Sequence, residues 1–264
     1  MSTKDFIEKY LRIVDKAGNE VPFILNSIQN QYLEDYTGKD FILKARQQGF
    51  SSLILAMFTK DFLTKENSRS VIVADIADNA SELLDRVKSY IKAFEDIAQT
   101  KVPLKYNSKY ELYNEVLQSR YTIGTADNRD FGRSKTITNL HLSEFAFYSD
   151  AQKLFAGVMQ AVVPDGRVII ETTGNGFNFA KEFWDKTKLD ETGFKGLFYG
   201  ADTFYSKEFL DQKKRELGRY YEQEYPNNAL DAFLTSGETF FSALALRDHL
   251  QRAKEPQGID LIYG

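Results

Sequence analysis

The sequence predicts an α/β fold, with a central, mainly parallel sheet and helices on both faces. Three observations predict it. Short β-branched or apolar runs alternate with longer segments of helical spacing, the pattern of crossover units. One of those runs leads into a turn rich in cations, glycine and serine that opens a helix. The chain has 264 residues, 42% of them hydrophobic and 27% charged, enough to bury the core of one large α/β domain or two small ones.

The elements follow in order. The N-terminal stretch is amphipathic and mixed in charge, and is expected to form a helix over about residues 1–20. Phe41-Ile42-Leu43 is a strand, followed by a Gly/Ser turn and the apolar run Leu53–Phe58. Val71–Ala74 is a second strand. After it Leu83, Leu84, Val87, Tyr90, Ile91 and Phe94 mark one face of a helix over Ser81–Phe94, with Ser81 as its N-cap. Tyr110–Tyr113 and Arg120–Thr125 read as a β-hairpin or short antiparallel addition. Ile137–Leu142 and Val168–Ile170 are further strands, and Ser206–Tyr221 is a charged helix. From Ser242 a helix is expected to run into the polar linker Lys254–Gly258. The strand-like run 259–264 then reads as the start of a second domain. The chain is therefore divided into a domain over 1–241 and a linker over 242–264.

Composition narrows the function classes. A formal net charge of −4 argues against a surface that wraps nucleic acid everywhere, and leaves room for a small basic patch. Without cysteine there are no disulfides or thiolate metal sites, and His141 and His249 are too few for a histidine-rich centre. The N-terminus lacks the apolar core of a signal peptide, and no run approaches the roughly 18 apolar residues of a membrane span. A soluble, intracellular protein without membrane contact is expected.

The most informative segment is Lys44-Ala45-Arg46-Gln47-Gln48-Gly49-Phe50-Ser51-Ser52. It follows an apolar strand and opens a helix, where backbone N–H groups and the helix start form an anion site suited to phosphates. Against the pattern G-x-x-x-x-G-K-[ST], Gly49 and Ser51 match the second glycine and the magnesium-binding hydroxyl. Phe50 stands in the lysine position and Lys44 in that of the first glycine. The cation needed against the β,γ-phosphates is then Lys44 or Arg46. By itself the segment also reads as an ordinary strand–turn–helix connection with surface cations.

With the segments around it, the loop resembles the variant phosphate loop of tailed-phage large terminases, whose lysine often sits at the loop's start. Upstream, Pro22–Leu33 resembles that family's glutamine motif, which makes Gln29 an adenine contact. Downstream, Thr136–Phe147 resembles the second nucleotide motif, an apolar strand ending in an acidic pair. Glu144 stands at the catalytic glutamate, which would orient and polarise the attacking water, and Ser143 replaces the usual aspartate that helps to hold magnesium. Of Arg129 and Arg133, Arg133 fits the spacing of an arginine finger that reaches a neighbouring subunit's ATP. Val168–Gly176 resembles the coupling motif, with Thr172 and Thr173 beside the phosphates. Gln223–Phe241 resembles the junction that closes the ATPase domain. The resemblance covers residues from about 20 to about 241.

What the resemblance implies is a P-loop NTPase of the additional-strand, catalytic-glutamate class. ATP would lie at the carboxyl ends of the strands, with phosphates on Lys44, Arg46, Gln47, Gln48, Gly49, Phe50, Ser51 and Ser52, and Mg2+ near Ser51, Ser143 and Glu144. The implied function is ATP hydrolysis powering the translocation of viral double-stranded DNA into a procapsid, in the host cytoplasm. The implied partners are the portal protein, the small terminase subunit and further copies in a ring, the isolated chain being a monomer. The family's nuclease domain is expected beyond Gly264. A helicase-like translocase sharing the site, and a non-hydrolysing nucleotide-binding scaffold, are the alternatives.

Overall fold

A computed structural model describes residues 1–128 and 136–234, together with positions 249 and 252. The chain opens with helix α1 (Thr3–Tyr10), capped by the Ser2 side chain, and a small antiparallel hairpin of β1 (Arg12–Val14) and β2 (Glu20–Pro22). The helix expected over 1–20 is thus confined to its first half. β-branched Ile13 and Val14 favour a strand, and Asp15 accepts from the amides of Ala17 and Asn19 to fix the turn between the strands.

Helix α2 (Ser27–Asp35) leads to β3 (Lys39–Lys44), the phosphate loop and helix α3 (Phe50–Thr64). β4 (Arg69–Ala74) and the long helix α4 (Ala77–Ala98) follow. Helix α4 starts one turn before the expected Ser81, at Ile76, whose side chain makes no cap. The end of β4 sets that start instead, helped by an Asn79-to-Asp75 side-chain bond of 2.6 Å. Then come β5 (Leu104–Asn107), β6 (Glu111–Asn114), β7 (Ser119–Thr125), β8 (Ile137–Ser143), α5 (Ala151–Met159) and β9 (Val162–Thr172). The chain continues through α6 (Phe179–Lys188), β10 (Lys195–Tyr199), α7 (Lys207–Leu217), α8 (Tyr221–Glu224) and α9 (Ala229–Leu234). The helix expected over Ser206–Tyr221 is shorter, because Ser206 is its cap and Gly218, at φ +52°, breaks it. The helix and linker expected over 242–264 lie outside the described residues, apart from isolated positions.

Among the described residues, eight strands form one sheet in the order β10-β3-β9-β8-β4-β7-β6-β5. The first six pair in parallel, and the β6–β7 and β5–β6 pairs are antiparallel. Side chains alternate across the sheet. One face, with Ile42, Ile72 and Ile169, packs under α1 to α4. The other, with Phe41, Leu43, Val71, Leu140, Leu142, Val168 and Ile170, packs under α5, α6 and α9. The strand order puts β9 between the phosphate-loop strand β3 and the acidic strand β8, so all three strand ends open at one edge of the sheet.

Candidate nucleotide site

The phosphate loop is held by its own backbone and by neighbouring amides. At its front, the Ala45 and Arg46 N–H groups donate to the carbonyls of Tyr199 and Glu224, each at 3.0 Å. Gln47 (φ +57°) and Gly49 (φ +83°) turn the chain in left-handed conformations. At Gly49 a glycine is required twice over, since a Cβ there would lie 2.7 Å from Gln29 Nε2. That Nε2 donates to the Gly49 carbonyl at 2.8 Å, and Asn26 Nδ2 donates to the Gln48 carbonyl at 3.2 Å. Gln48 in turn donates to the Gly200 carbonyl at 2.9 Å. The first intrahelical bond of α3 runs from Leu53 N–H to the Gly49 carbonyl. The amides of Phe50, Ser51 and Ser52 precede it, and they are the orphan donors of a helix start that suit an anion.

Phe50, at the position lysine holds in the standard loop, is buried and packs its ring 4.6 Å from Tyr199. It anchors the loop to the core. The Ser52 hydroxyl accepts from Arg86 at 3.1 Å, and Ser52 is tied to α4. Gln29 is buried, with its amide oxygen accepting from Asn26 N–H at 3.0 Å while its nitrogen braces Gly49. These bonds leave one amide hydrogen and one oxygen lone pair of Gln29, on a side chain that is nearly fully buried.

Of the two candidate cations, Lys44 faces the acidic strand. Its Nζ lies 3.2 Å from Glu144 Oε1 and 3.0 Å from Glu171 Oε2. Arg46 points away, pairs with Glu224 at 2.9 Å and is 61% exposed. It borders a cleft of about 310 Å³ with Gln47, Phe209, Lys213 and Tyr225 on the loop's outer side. Burial alone would push the Lys44 ammonium down, but the carboxylates of Glu144 and Glu171 outweigh it and raise its pKa above the ordinary lysine value.

Glu144 follows β8 in a left-handed conformation, φ +55° and ψ +45°, uncommon for a residue with a side chain. That turn lifts its carboxylate beside Lys44, where the Thr173 N–H donates to its other oxygen at 3.3 Å. Its side chain is 34% exposed, so water reaches it. The Thr172 hydroxyl accepts from the Ala146 N–H and donates to the Thr173 carbonyl, tying the end of β9 to the segment after Glu144. Gly174 then passes against α9, where a Cβ would lie 1.9 Å from the Ala232 carbonyl.

Ser51 and Ser143 converge on Glu171, a residue that no sequence motif singles out. The Ser51 and Ser143 hydroxyls both donate to Glu171 Oε1, at 2.7 and 2.8 Å, and His141 Nε2 lies 3.3 Å from the same atom. Glu171 is fully buried. Burial would push its pKa up, but the Lys44 ammonium, with His141 and Ser51, holds it below the ordinary carboxylate range. The signal available in the sequence was a carboxylate at the end of the apolar run Val168–Ile170, since a buried glutamate needs a partner.

Lys44, Ser51, Ser143, Glu144, Thr172 and Thr173 are thus brought together, with Gln29 behind the loop. Arg133 lies outside the described residues. Among the described residues no group of three or more His, Asp or Glu side chains is arranged to hold a metal. Two hydroxyls, Ser51 at the start of α3 and Ser143 at the end of β8, with the carboxylate of Glu171 on β9, are oxygen donors of the kind magnesium takes. Among the described residues no helix is long and apolar enough to cross a membrane.

No family model matches the sequence. The fold is that of phage large terminase ATPase domains. The chain is similar to the ATPase domain of the Thermus phage P74-26 large terminase, at 16% identity and a TM-score of 0.61, over 77% of this chain and 93% of that one. It is similar to the bacteriophage HK97 large terminase, at 14% identity and a TM-score of 0.66, over 85% of this chain and 53% of that one. The large terminase of a thermophilic bacteriophage, in complex with ADP, matches at 14% identity and a TM-score of 0.57, over 76% of this chain and 51% of that one. The matched part thus spans about half the length of these last two proteins.

Proposed function

We propose that this chain, which has the fold of phage large terminase ATPase domains, hydrolyses ATP and thereby drives double-stranded viral DNA into a procapsid. The observation that carries the reading is the pairing of Lys44 with Glu144 at 3.2 Å, beside a loop whose free amides suit phosphates.

The loop amides and Lys44 hold the triphosphate. Mg2+, bound with the nucleotide near Ser51 and Ser143, would neutralise charge on the β- and γ-phosphates. When Lys44 turns to the phosphates, Glu144 is released to orient a water molecule on the γ-phosphorus and take up its proton as the bond to the ADP oxygen breaks. The Glu144–Thr173 bond is placed to report that change to the coupling loop, and Arg133 acts on the ATP of a neighbouring subunit in a ring. Double-stranded DNA, the portal protein and the small terminase subunit are the partners, in the host cytoplasm.

The test is Glu144→Gln. The amide keeps the shape but takes up no proton, so ATP binding persists while single-turnover hydrolysis falls by about a hundredfold or more. Hydrolysis within a few-fold of the unaltered chain rules the assignment out. ATP binding without hydrolysis in the unaltered, assembled chain favours a nucleotide-binding scaffold.

A further inference from the structure

The acidic strand has a gap in its chemistry. Ser143 stands where the resembled pattern has an aspartate, and a hydroxyl carries no charge with which to hold a divalent cation. Its cross-strand neighbour does. β8 and β9 pair in parallel with Ser143 opposite Glu171, so the two side chains emerge side by side on one face of the sheet. We propose that Glu171 supplies the missing charge: the magnesium-binding carboxylate of this site comes from the neighbouring strand, β9, and acts across the pair with Ser143. The inference rests on the ATPase reading above and assigns the metal side of that site.

Three observations favour it over a purely structural ion pair. First, the two hydroxyls expected near the metal, on α3 and β8, are within 2.8 Å of one carboxylate oxygen, Glu171 Oε1. They mark a point where three elements already converge on negative charge.

Second, negative charge outruns positive once a nucleotide enters. Among the described residues Glu144 and Glu171 share the ammonium of Lys44, with His141 Nε2 3.3 Å from Glu171, while Arg46 is turned to Glu224. A triphosphate adds more negative charge and competes for Lys44. A carboxylate with no exposed surface then needs a new counter-charge, because a buried unpaired ion is strongly unfavourable. A divalent cation carried in with the phosphates provides it.

Third, Glu171 and Glu144 are placed for different work. Glu144 is 34% exposed and open to water, while Glu171 lies beneath the loop at 0%. A carboxylate without access to bulk water suits a cation's inner or water-bridged shell better than the turnover of water at phosphorus.

The experiment measures ATP affinity by calorimetry, with Mg2+ and with EDTA, so that the readout is binding. The unaltered chain is expected to bind ATP more tightly with Mg2+. In Glu171→Gln that gain should shrink by roughly 10–100-fold, the usual effect of removing a carboxylate from a metal's shell. Affinity in EDTA should hold or rise, since Lys44 has one competitor fewer. The double variant Ser143→Asp with Glu171→Gln moves the charge back across the pair and should recover the gain. An undiminished gain in Glu171→Gln, or no recovery in a folded double variant, overturns the proposal. A second measurement avoids substitution: a crystal of the unaltered chain with ATP-γ-S and Mn2+, with the metal located by anomalous scattering. The ion should lie within one water of the Glu171 carboxylate, and an ion out of its reach overturns the proposal. If the unaltered chain binds no ATP in either condition, the ATPase reading falls as well. If ATP binds and only the Mg2+ dependence ignores Glu171, this inference alone falls.

Discussion

Lys44 is at once a structural counter-ion and the proposed phosphate cation, and substitution can separate the two roles. Lys44→Ala leaves Glu171 buried without its ammonium, and removing one partner of such a pair costs about 3–5 kcal/mol. Turnover should fall by about 10²–10³-fold, the usual effect of deleting a group that stabilises transition-state charge. Adding Glu171→Gln to Lys44→Ala removes the orphaned charge and should restore most of the stability, while ATP affinity in EDTA, which Glu171→Gln alone leaves intact or raised, stays weak. Thermal unfolding and calorimetric ATP titration in EDTA check the pair of outcomes. Recovery of that affinity with stability would mean that Lys44 serves only the fold. That Lys44, Ser51 and Glu144 lie near one another was legible in the sequence, because each stands at a motif position. Glu171 was not, because its partners lie 28, 120 and 127 positions away, at Ser143, Ser51 and Lys44, and are gathered only by strand order. Gln29 was legible as a position, but its bond to the Gly49 carbonyl exists only once α2 docks on the loop.

At the scale of the element, the phosphate loop is kept open by a glycine rather than by a cap. α3 has no side-chain cap, and Gly49 fills that place at φ +83° against the Gln29 amide. Gly49→Ala should cost about 1–3 kcal/mol from the left-handed conformation, before any displacement of Gln29 is counted. It should also weaken ATP binding, because the Gln29 brace moves with the loop. Denaturant midpoints and calorimetric ATP titration check it, and a stable variant with unchanged ATP affinity would show that the brace is not needed. Strands β3, β4, β8 and β9 were legible as apolar runs, since a parallel sheet buried on both faces leaves little alternation to misread, whereas β10, half-buried at the sheet edge, and β5 were not. Helix starts were less so. Ser81 has the chemistry of a cap, but the end of β4 fixes the start of α4 at Ile76, a tertiary decision that propensity does not carry.

At the scale of the molecule, a net charge of −4 spread over a protein proposed to move DNA means that assembly must present basic surface locally. The resemblance assigns Arg133 to a neighbour's ATP, which a mixing experiment tests. A Glu144→Gln subunit keeps its finger with a dead site, and an Arg133→Ala subunit keeps its site without a finger. In one ring some interfaces unite a good site with a good finger, so activity should partly return. A trans arginine can be worth about 10³–10⁵ in rate. A mixture as inactive as either variant, with both assembled, would place Arg133 in its own site or in a structural pair. The close approach of Gly174 to Ala232 has a mechanical consequence. The peptide that binds Glu144 at Thr173 is one residue from a backbone wedged against α9 with no side chain between them. With no side chain to shift aside, a displacement carried along the chain through Gly174 meets the α9 backbone directly. In the proposed ATPase cycle, α9 is then the next element that movement at Thr173 would touch.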